Sequence, residues 1–150
     1  MDAAVSTPAD SSSHTPLSKH DFELLADFRY QVRKFVRFSE ELARRHGITP
    51  LQYLLLLHVK GYPGRDWATV GELAERLQAQ HHGVVALVTR CVGQGFVERR
   101  RSRADKRQIE IHLLDKGEAI LDELARLHRA ELLSLQGRFV VPDLRAFEQG

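Results

Sequence analysis

The stretch VERRRSRADKRQIEIHL, Val97–Leu113, combines a run of positive charge with the alternation of a β-strand. The ten residues from Glu98 to Arg107 hold six basic side chains and only two acidic ones, Glu98 and Asp105. Apolar and polar residues then alternate from Ile109 to Leu113, which is typical of a strand with one buried face. We therefore expect the charge to lie on a folded hairpin whose tip is formed by residues 102–106.

Two short helices are predicted directly before this hairpin. Thr69 and Glu72 have the spacing of a capping box, in which two side chains at a helix N-terminus each accept a hydrogen bond from the other's backbone amide. A second helix follows after the short polar segment Gln78–Gln80, and its apolar face consists of Val84, Leu87, Val88 and Cys91. Helices joined by so tight a turn indicate a helix-turn-helix, and the hairpin after it makes a winged helix.

Longer helices are predicted toward both chain ends. Ser18 and Asp21 form a capping box before the first, and Gly47 is placed to end it. Thr49-Pro50-Leu51-Gln52 then starts a helix that is apolar nearly all round and must be buried on most sides. We expect Asp115, with Glu118, to cap the last long helix.

The terminal helices and the segment after Pro142 carry more apolar side chains than one core requires. These surplus residues are Phe22, Phe28, Phe35, Leu132, Leu135, Leu144 and Phe147. Left uncovered, they would form exposed apolar patches of a size that monomeric proteins rarely show. We therefore predict an obligate homodimer.

Charge distribution, cysteine content and the lengths of apolar stretches limit the classes of protein to which the chain can belong. The chain has 150 residues, with 22 Lys and Arg against 20 Asp and Glu, so the positive charge is concentrated on the hairpin while the remainder is slightly negative. Its one cysteine, Cys91, excludes an intrachain disulfide. Neither a signal peptide nor an apolar stretch of about 20 residues is present, which predicts a cytoplasmic protein without a membrane span.

The order of these elements resembles the MarR family of bacterial transcriptional regulators. The resemblance runs from Phe22 to about Leu135 and includes Thr-Pro-Leu-Gln, LAERL, GFVERR, ADKRQ and DKGEAIL. Its most specific part is Gly95-Phe96-Val97-Glu98-Arg99 followed by Asp105-Lys106-Arg107, which is similar to the family's Gly-Leu-Val-x-Arg and Asp-x-Arg wing. The resemblance implies a homodimer with intertwined terminal helices that binds double-stranded DNA and represses or activates nearby genes. We expect a repressor that is relieved by a small ligand.

The resulting fold prediction is mainly helical with a small β-hairpin wing. Residues 1–16 form a disordered tail and residues 17–150 a single domain. Within that domain, we expect residues 18–47 and 115–150 to form the dimerisation helices and residues 48–114 the winged-helix lobe that binds DNA.

The predicted recognition helix departs from the family pattern. Where relatives tend to have Ser or Thr followed by Arg, this chain has Gly83, Val85 and Ala86. Val85 and Ala86 are suited to thymine methyl groups rather than to hydrogen bonds. Readout by hydrogen bonds then falls to residues at the start of the helix, namely Gln80, His81 and His82.

Other expected DNA contacts are mainly basic. Thr89 and Arg90, on the outer side of the helix, are placed to touch phosphates, and on the wing Arg107 is expected to enter the minor groove. The remaining wing contacts are Arg99, Arg101, Arg103 and Lys106, and those from Arg99 to Arg103 should act mainly through phosphate attraction. Asp105 is expected to order the wing by accepting turn amides and by pairing with Arg90 or Arg107.

A ligand site is predicted near the first long helix. Family pockets lie between the dimerisation helices and the DNA-binding lobe and often take aromatic acids. Arg29, Arg33 and Arg37 recur near one helix face, with Tyr30 and Tyr53 close in sequence. The family resemblance, together with these arginines, implies an anionic aromatic effector.

No metal or cofactor is expected. Adjacent helical residues point about 100° apart, so His81 and His82 are poorly placed to chelate one ion. A metal site built from Glu41, His46 and His128 stays an alternative, as does a redox role for Cys91, although that thiol falls on an apolar face. Because no catalytic grouping is recognisable, we expect no enzyme; the alternative to DNA binding is a winged helix that binds proteins.

Overall fold

A computed structural model describes residues 16–143 and shows a mainly helical chain with one small antiparallel sheet. In chain order the elements are α1 (Lys19–Arg45), α2 (Pro50–Lys60), β1 (Trp67–Thr69), α3 (Val70–Leu77), α4 (His81–Gly93), β2 (Val97–Arg101), β3 (Ile109–Leu113) and α5 (Asp115–Ser134). The helix-turn-helix is α3 and α4, and β2 and β3 are the two strands of the wing. The predicted fold class is therefore confirmed. All but Pro16 of the predicted tail, together with Leu144 and Phe147, lie outside the described residues.

The three predicted capping boxes are present. They pair Ser18 with Asp21, Thr49 with Gln52, and Thr69 with Glu72. In the first of them, the Asp21 amide donates to Ser18 Oγ at 3.2 Å and the Ser18 amide to Asp21 Oδ2 at 2.8 Å. Each box gives partners to two backbone amides that a helix end otherwise leaves unpaired.

The predicted cap of the last helix is wrong. Leu114, rather than Asp115, is the N-cap residue of α5, and no side chain caps this end. The reason is that the Leu114 amide donates to the Phe96 carbonyl at 2.9 Å, which holds Leu114 extended beside the sheet. Asp115 therefore begins the helix, where its carboxylate, like that of Glu118, lies near the positive end of the helix dipole.

Strand β1 was not predicted. It pairs with β3, so the sheet has the order β1-β3-β2, with Trp67 opposite His112 and Thr69 opposite Glu110. The Trp67 ring stacks on His112 with ring centroids 6.0 Å apart. Because Thr69 also caps α3, this strand connects the helix-turn-helix to the wing.

The hydrophobic core lies within the winged-helix lobe and at its junction with α1 and α5. Its fully buried side chains include Leu55, Leu56, Val59, Leu73, Val84, Val88, Cys91, Val97, Ile111 and Leu124. Gly117 lets α5 pass close to the backbone of Phe96, because a Cβ atom at this position would overlap the Phe96 carbonyl.

The terminal helices are far less buried. Exposed apolar side chains on α1 and just before its N-cap are Leu17, Phe22, Leu25, Tyr30 and Val36. Those on α5 and the segment after it are Leu127, Leu132, Leu133, Phe139, Val140 and Val141. Where α1 and α5 meet, His128 is buried and stacks on Tyr53 with a centroid separation of 4.6 Å. Over residues 16–143, none of these helices has the length and apolarity needed to cross a membrane.

Candidate nucleic-acid interface

Helix α4 presents an exposed face at its N-terminal half. This face, called the α4 face below, consists of His81, His82, Val85, Ala86 and Thr89, all of which are exposed. Gln80, at the N-cap, is also exposed, and its side chain makes no capping hydrogen bond. The opposite side of α4 packs into the core through Val84, Leu87, Val88 and Cys91. Helical periodicity therefore separates the two sets as the sequence predicted.

The register of the wing divides three consecutive arginines between the two faces of the sheet. Arg99 lies opposite Ile111 and Arg101 opposite Ile109, whereas Arg100 lies opposite Glu110. Directly opposed residues of an antiparallel pair share a face, and successive residues alternate. Arg99 and Arg101 therefore point to one side and Arg100 to the other.

The two sides of the wing differ in charge compensation. Arg100 forms an ion pair with Glu98, and its Nη1 lies 3.5 Å from His112 Nδ1. His112 in turn contacts Glu110, with 2.9 Å between Nε2 and Oε1. On the other side, no ion pair involves Arg99 or Arg101 within residues 16–143. The uncompensated charge therefore lies on the side of the sheet that faces α4.

Arg99 connects this side of the wing to the α4 face. Its Nη2 donates to Thr89 Oγ1 at 2.7 Å, and the Thr89 hydroxyl donates to the Val85 carbonyl at 3.0 Å. One end of the Arg99 side chain is thus held by a strand and the other by the helix. The sequence placed both residues at the interface but did not reveal this contact.

The wing tip, residues 102–106, is ordered from within. Asp105 Oδ1 accepts the Arg107 amide at 3.0 Å and lies 3.4 Å from Arg107 Nε, so Arg107 rather than Arg90 is its partner. The Asp105 amide donates to Ser102 Oγ at 3.2 Å. The Gln108 amide donates to the Asp105 carbonyl, and the Ser102 amide to the Gln108 carbonyl, both at 3.0 Å.

Ser102 is a wing residue that sequence reasoning missed. It is 5% exposed although it sits beside a highly charged tip, and its hydroxyl accepts the Asp105 amide. The signal was present, because a serine three residues before Asp105 has the spacing of a side-chain-to-backbone turn contact. Arg103, Lys106 and Arg107 are all exposed, and of these three only Arg107 takes part in an ion pair within the described part of the chain.

A groove of about 440 Å³ runs between the wing, the α4 face and the start of α3. Its lining residues are Thr69, Val70, Gly71, His81, Val85, Arg99, Arg107, Gln108 and Ile109. Arg90 lies elsewhere, in a second cavity that it shares with Arg44 and Thr49. The groove therefore joins His81 and Val85 of the α4 face to Arg99 and Arg107 of the wing, and the α4 face and the wing together are called the cationic surface below. Arg90 does not line this groove.

The residues of the predicted ligand site are dispersed. Arg29, Tyr30 and Arg33 are exposed on α1, and Arg37 forms an ion pair with Glu41, with Nε and Oε1 3.2 Å apart. Tyr53 is 3% exposed in the core, and burial raises the pKa of its hydroxyl. The structure does not bring Tyr53 to the surface on which the arginines lie.

The residues of the alternative metal site already have other partners. His128 uses both ring nitrogens, with Nδ1 2.7 Å from the Leu124 carbonyl and Nε2 2.8 Å from Ser39 Oγ. His46 contacts the Leu42 carbonyl and Glu123. Across residues 16–143, no group of three or more His, Cys, Asp or Glu side chains converges as metal ligands would.

Cys91 is a buried core residue. Its side chain is fully inaccessible, and burial raises the pKa of the thiol to about 11. Nucleophilic and redox reactivity requires the thiolate. The environment of Cys91 therefore favours a packing role.

Comparison with known proteins links this interface to one family. The matching family model is that of the MarR family, over residues 46–108. The HTH-type transcriptional regulator YsmB of Bacillus subtilis (strain 168) is 26% identical over 137 residues, which cover 89% of this chain and 92% of YsmB. TtmR of Methylorubrum extorquens (strain PA1), also an HTH-type transcriptional regulator, is 35% identical over 86 residues, which cover 57% of this chain and 43% of TtmR.

Solved structures agree with these matches. A MarR family protein from Bacillus stearothermophilus has a TM-score of 0.70 at 25% identity, over 89% of this chain and 92% of that one. AbsC, a MarR family transcriptional regulator from Streptomyces coelicolor, also has a TM-score of 0.70, at 18% identity, over 85% of this chain and 86% of its own. The second match shows a shared fold.

Proposed function

The chain belongs to the MarR family of transcriptional regulators, and on this basis we propose that it is a homodimeric repressor that binds a pseudo-palindromic operator in double-stranded DNA. The observation that carries the proposal is the single cationic surface formed by the α4 face and the wing. The exposed face of α4 is suited to enter the major groove of a duplex, and the adjacent basic hairpin is suited to follow the negatively charged backbone.

The terminal helices support the homodimer part of the proposal. Phe22 and Leu132 are 55% and 48% exposed in the single chain, and they are among the exposed apolar side chains of α1, α5 and the residues after α5, which together are called the apolar surface below. Covering this surface with a second copy would remove it from water at a gain of roughly 25 cal/mol per Å². A two-fold dimer would present two lobes to half-sites about one helical turn, 10–10.5 bp, apart.

We further propose that an anionic aromatic compound relieves repression. Arg29 and Arg33 support this part of the proposal, because they are exposed on α1 and form no ion pair within residues 16–143. A carboxylate would be held there by charge-assisted hydrogen bonds. Calorimetric titration with a panel of benzoate-like acids should give binding to the wild type that Arg29→Ala with Arg33→Ala abolishes; no heat from any acid would count against an effector of this class.

Mobility-shift titration of a duplex across a range of salt concentrations tests the central proposal. Binding through phosphates releases counterions, so log K should fall linearly with log salt, and a selected operator should be bound more tightly than random duplex. Transcription from a promoter that overlaps the operator should fall as protein is added. Absence of salt-dependent binding would instead favour a winged helix that binds proteins.

A further inference from the structure

We propose that Arg99, on strand β2, reads a guanine in the major groove and that Thr89 of α4 positions its guanidinium. This inference rests on the proposed function, because it assigns sequence readout within the same surface. It differs from the prediction that Arg99 acts mainly by attraction to phosphates.

The α4 face lacks a long hydrogen-bond donor of its own. Val85 and Ala86 offer only apolar contacts, and the methyl group of thymine is the base feature they suit. Arg90, the arginine of α4, lies in the separate cavity beside Arg44. A guanidinium beside the α4 face must therefore come from a neighbouring element.

Arg99 supplies that guanidinium. Its Nη2 donates to Thr89 Oγ1 at 2.7 Å, and it lines the same groove as His81 and Val85. The side chain therefore extends along α4 instead of following the wing tip away from the helix. A planar guanidinium placed beside a recognition helix matches the O6 and N7 acceptors that guanine presents in the major groove.

Thr89 fixes the side chain without neutralising it. The hydroxyl proton is used on the Val85 carbonyl at 3.0 Å, so a lone pair of Oγ1 is oriented to accept from Arg99. A guanidinium has five N–H donors, and this contact uses one of them. Because no carboxylate pairs with Arg99 in the described part of the chain, its charge and its remaining donors are available to a base.

The neighbouring arginines are arranged differently. Arg100 points to the other side of the sheet and pairs with Glu98, and Arg107 pairs with Asp105 at the wing tip. Arg100 is therefore a matched control for Arg99, since it has the same side chain one residue further along the same strand.

The test begins with an operator selected by the wild-type protein from a randomised duplex library. Fluorescence-anisotropy titrations then compare that operator with all its single-base-pair variants, for the wild type, Arg99→Ala, Arg99→Lys and Arg100→Ala. We expect the wild type to lose roughly tenfold or more in affinity when one G·C pair per half-site is replaced. Arg99→Ala should level the preference at that pair alone, Arg99→Lys should weaken it, and Arg100→Ala should retain it.

Two further variants test the positioning role of Thr89. Thr89→Val keeps the branched shape but removes the hydroxyl, and should reduce the same G·C preference while leaving dimerisation and thermal unfolding unchanged. Added to Arg99→Ala, it should cause no further loss, because both changes remove one interaction. Thr89→Ser should restore the preference. Replacing the guanine by 7-deazaguanine should weaken binding by the wild type but not by Arg99→Ala.

Other outcomes would overturn the inference. If Arg99→Ala weakens binding equally for every duplex and lowers the salt slope by about one, Arg99 contacts a phosphate, and the proposed function stands without this residue as a reader. An unchanged G·C preference in Arg99→Ala would have the same meaning. If the wild type selects no sequence from the library, the proposed function fails and this inference fails with it.

Discussion

The wing and the terminal helices both present surface that a single chain does not use, but the two surfaces have opposite chemistry. The wing is cationic, and its tip is held by contacts between residues close in sequence, such as Asp105 with Arg107 and with Ser102. The terminal helices are apolar, and residues such as Phe22, Leu132 and Leu133 lie exposed with no part of the described chain covering them.

This difference has a physical consequence for assembly. Charged side chains are well solvated, so the wing can exist alone in water and lose its solvation only when DNA arrives. Exposed apolar area raises the free energy of the isolated chain wherever it occurs, because burying it is worth roughly 25 cal/mol per Å². We therefore expect the apolar surface to be covered permanently and the cationic surface to be covered reversibly.

The largest expected effect comes from placing charge on the apolar surface. Phe22→Asp combined with Leu132→Asp should give a folded monomer, because a dimer would have to bury these carboxylates. Affinity for an operator with two half-sites should fall on the order of 100-fold or more, because the two lobes that bind the half-sites are no longer linked in one dimer. Sedimentation velocity and anisotropy titration measure the two effects.

Leu51→Asp is the matched control for oligomeric state. Leu51 is 50% exposed, like the two altered residues, but it lies on α2 in the lobe. This variant should remain dimeric in sedimentation. A wild-type protein that sediments as a stable folded monomer at micromolar concentration would remove the contrast between the two surfaces.

The next largest effect is expected on stability, from a substitution where α5 packs against the winged-helix lobe. A Cβ at Gly117 would overlap the Phe96 backbone, so Gly117→Ala should force α5 away from the sheet. We expect a loss of roughly 3 kcal/mol in unfolding free energy, or about 6–12 °C in Tm for a chain of this size. Calorimetry or circular-dichroism melting measures it.

Gly71→Ala provides the control for this substitution. Gly71 is also helical, but nothing lies within 4 Å of where its Cβ would be. Alanine there should leave Tm unchanged or raise it slightly, because it removes conformational freedom from the unfolded chain. Equal destabilisation by both alanine variants would show that the close approach at Gly117 does not determine stability.

The fold could be predicted mostly where a local rule decides the structure. The capping boxes at Ser18, Thr49 and Thr69 require only a pair of side chains three residues apart, and all three are present. Strand β1 was missed because three residues are too few for a visible alternation, and only its pairing with β3 defines it. The Asp115 cap failed for a related reason, since a contact with the distant Phe96 carbonyl extends Leu114.

In the candidate site, too, the features set by local periodicity could be predicted and those set by tertiary packing could not. Exposure of the α4 face and the separation of Arg99 from Arg100 follow from helix and strand periodicity. The hydrogen bond between Arg99 and Thr89 depends on how the wing packs against α4, which no spacing in the sequence encodes. Tyr53 illustrates the converse, because it is close in sequence to the arginines of α1 but is buried against His128.

Arg107→Ala tests what the cationic surface contributes through one highly exposed side chain. Its side chain is 93% exposed, so its loss should leave folding and dimerisation unchanged. Affinity for the operator should fall by about tenfold, and the slope of log K against log salt should decrease by about one or less. Titrations at four or more salt concentrations give both values; an unaltered affinity would exclude Arg107 from the interface.

The smallest effect, and the one that separates an ordered wing from a simple charge patch, is expected for Asp105→Ala. The substitution removes one of only two acids among the ten residues of the cationic run, so the net charge of the wing increases. If attraction to phosphates alone determines affinity, binding should become tighter. The structure gives Asp105 a different role, because its carboxylate accepts the Arg107 amide and lies beside the Arg107 guanidinium.

Without that carboxylate, Arg107 and the wing tip would become ordered only when DNA binds. Ordering a long side chain costs about 0.5–1.5 kcal/mol, so we expect affinity to fall by about 3- to 10-fold with Tm and dimerisation nearly unchanged. Asp105→Asn is the informative companion, since its amide oxygen can still accept the Arg107 amide while the charge is lost, and it should weaken binding less than alanine does. Tighter binding by Asp105→Ala would mean that the net charge of the wing affects DNA affinity more than the ordering of its tip does. The wing would then resemble the terminal helices, because the sum of its side chains, and not their arrangement, would determine binding.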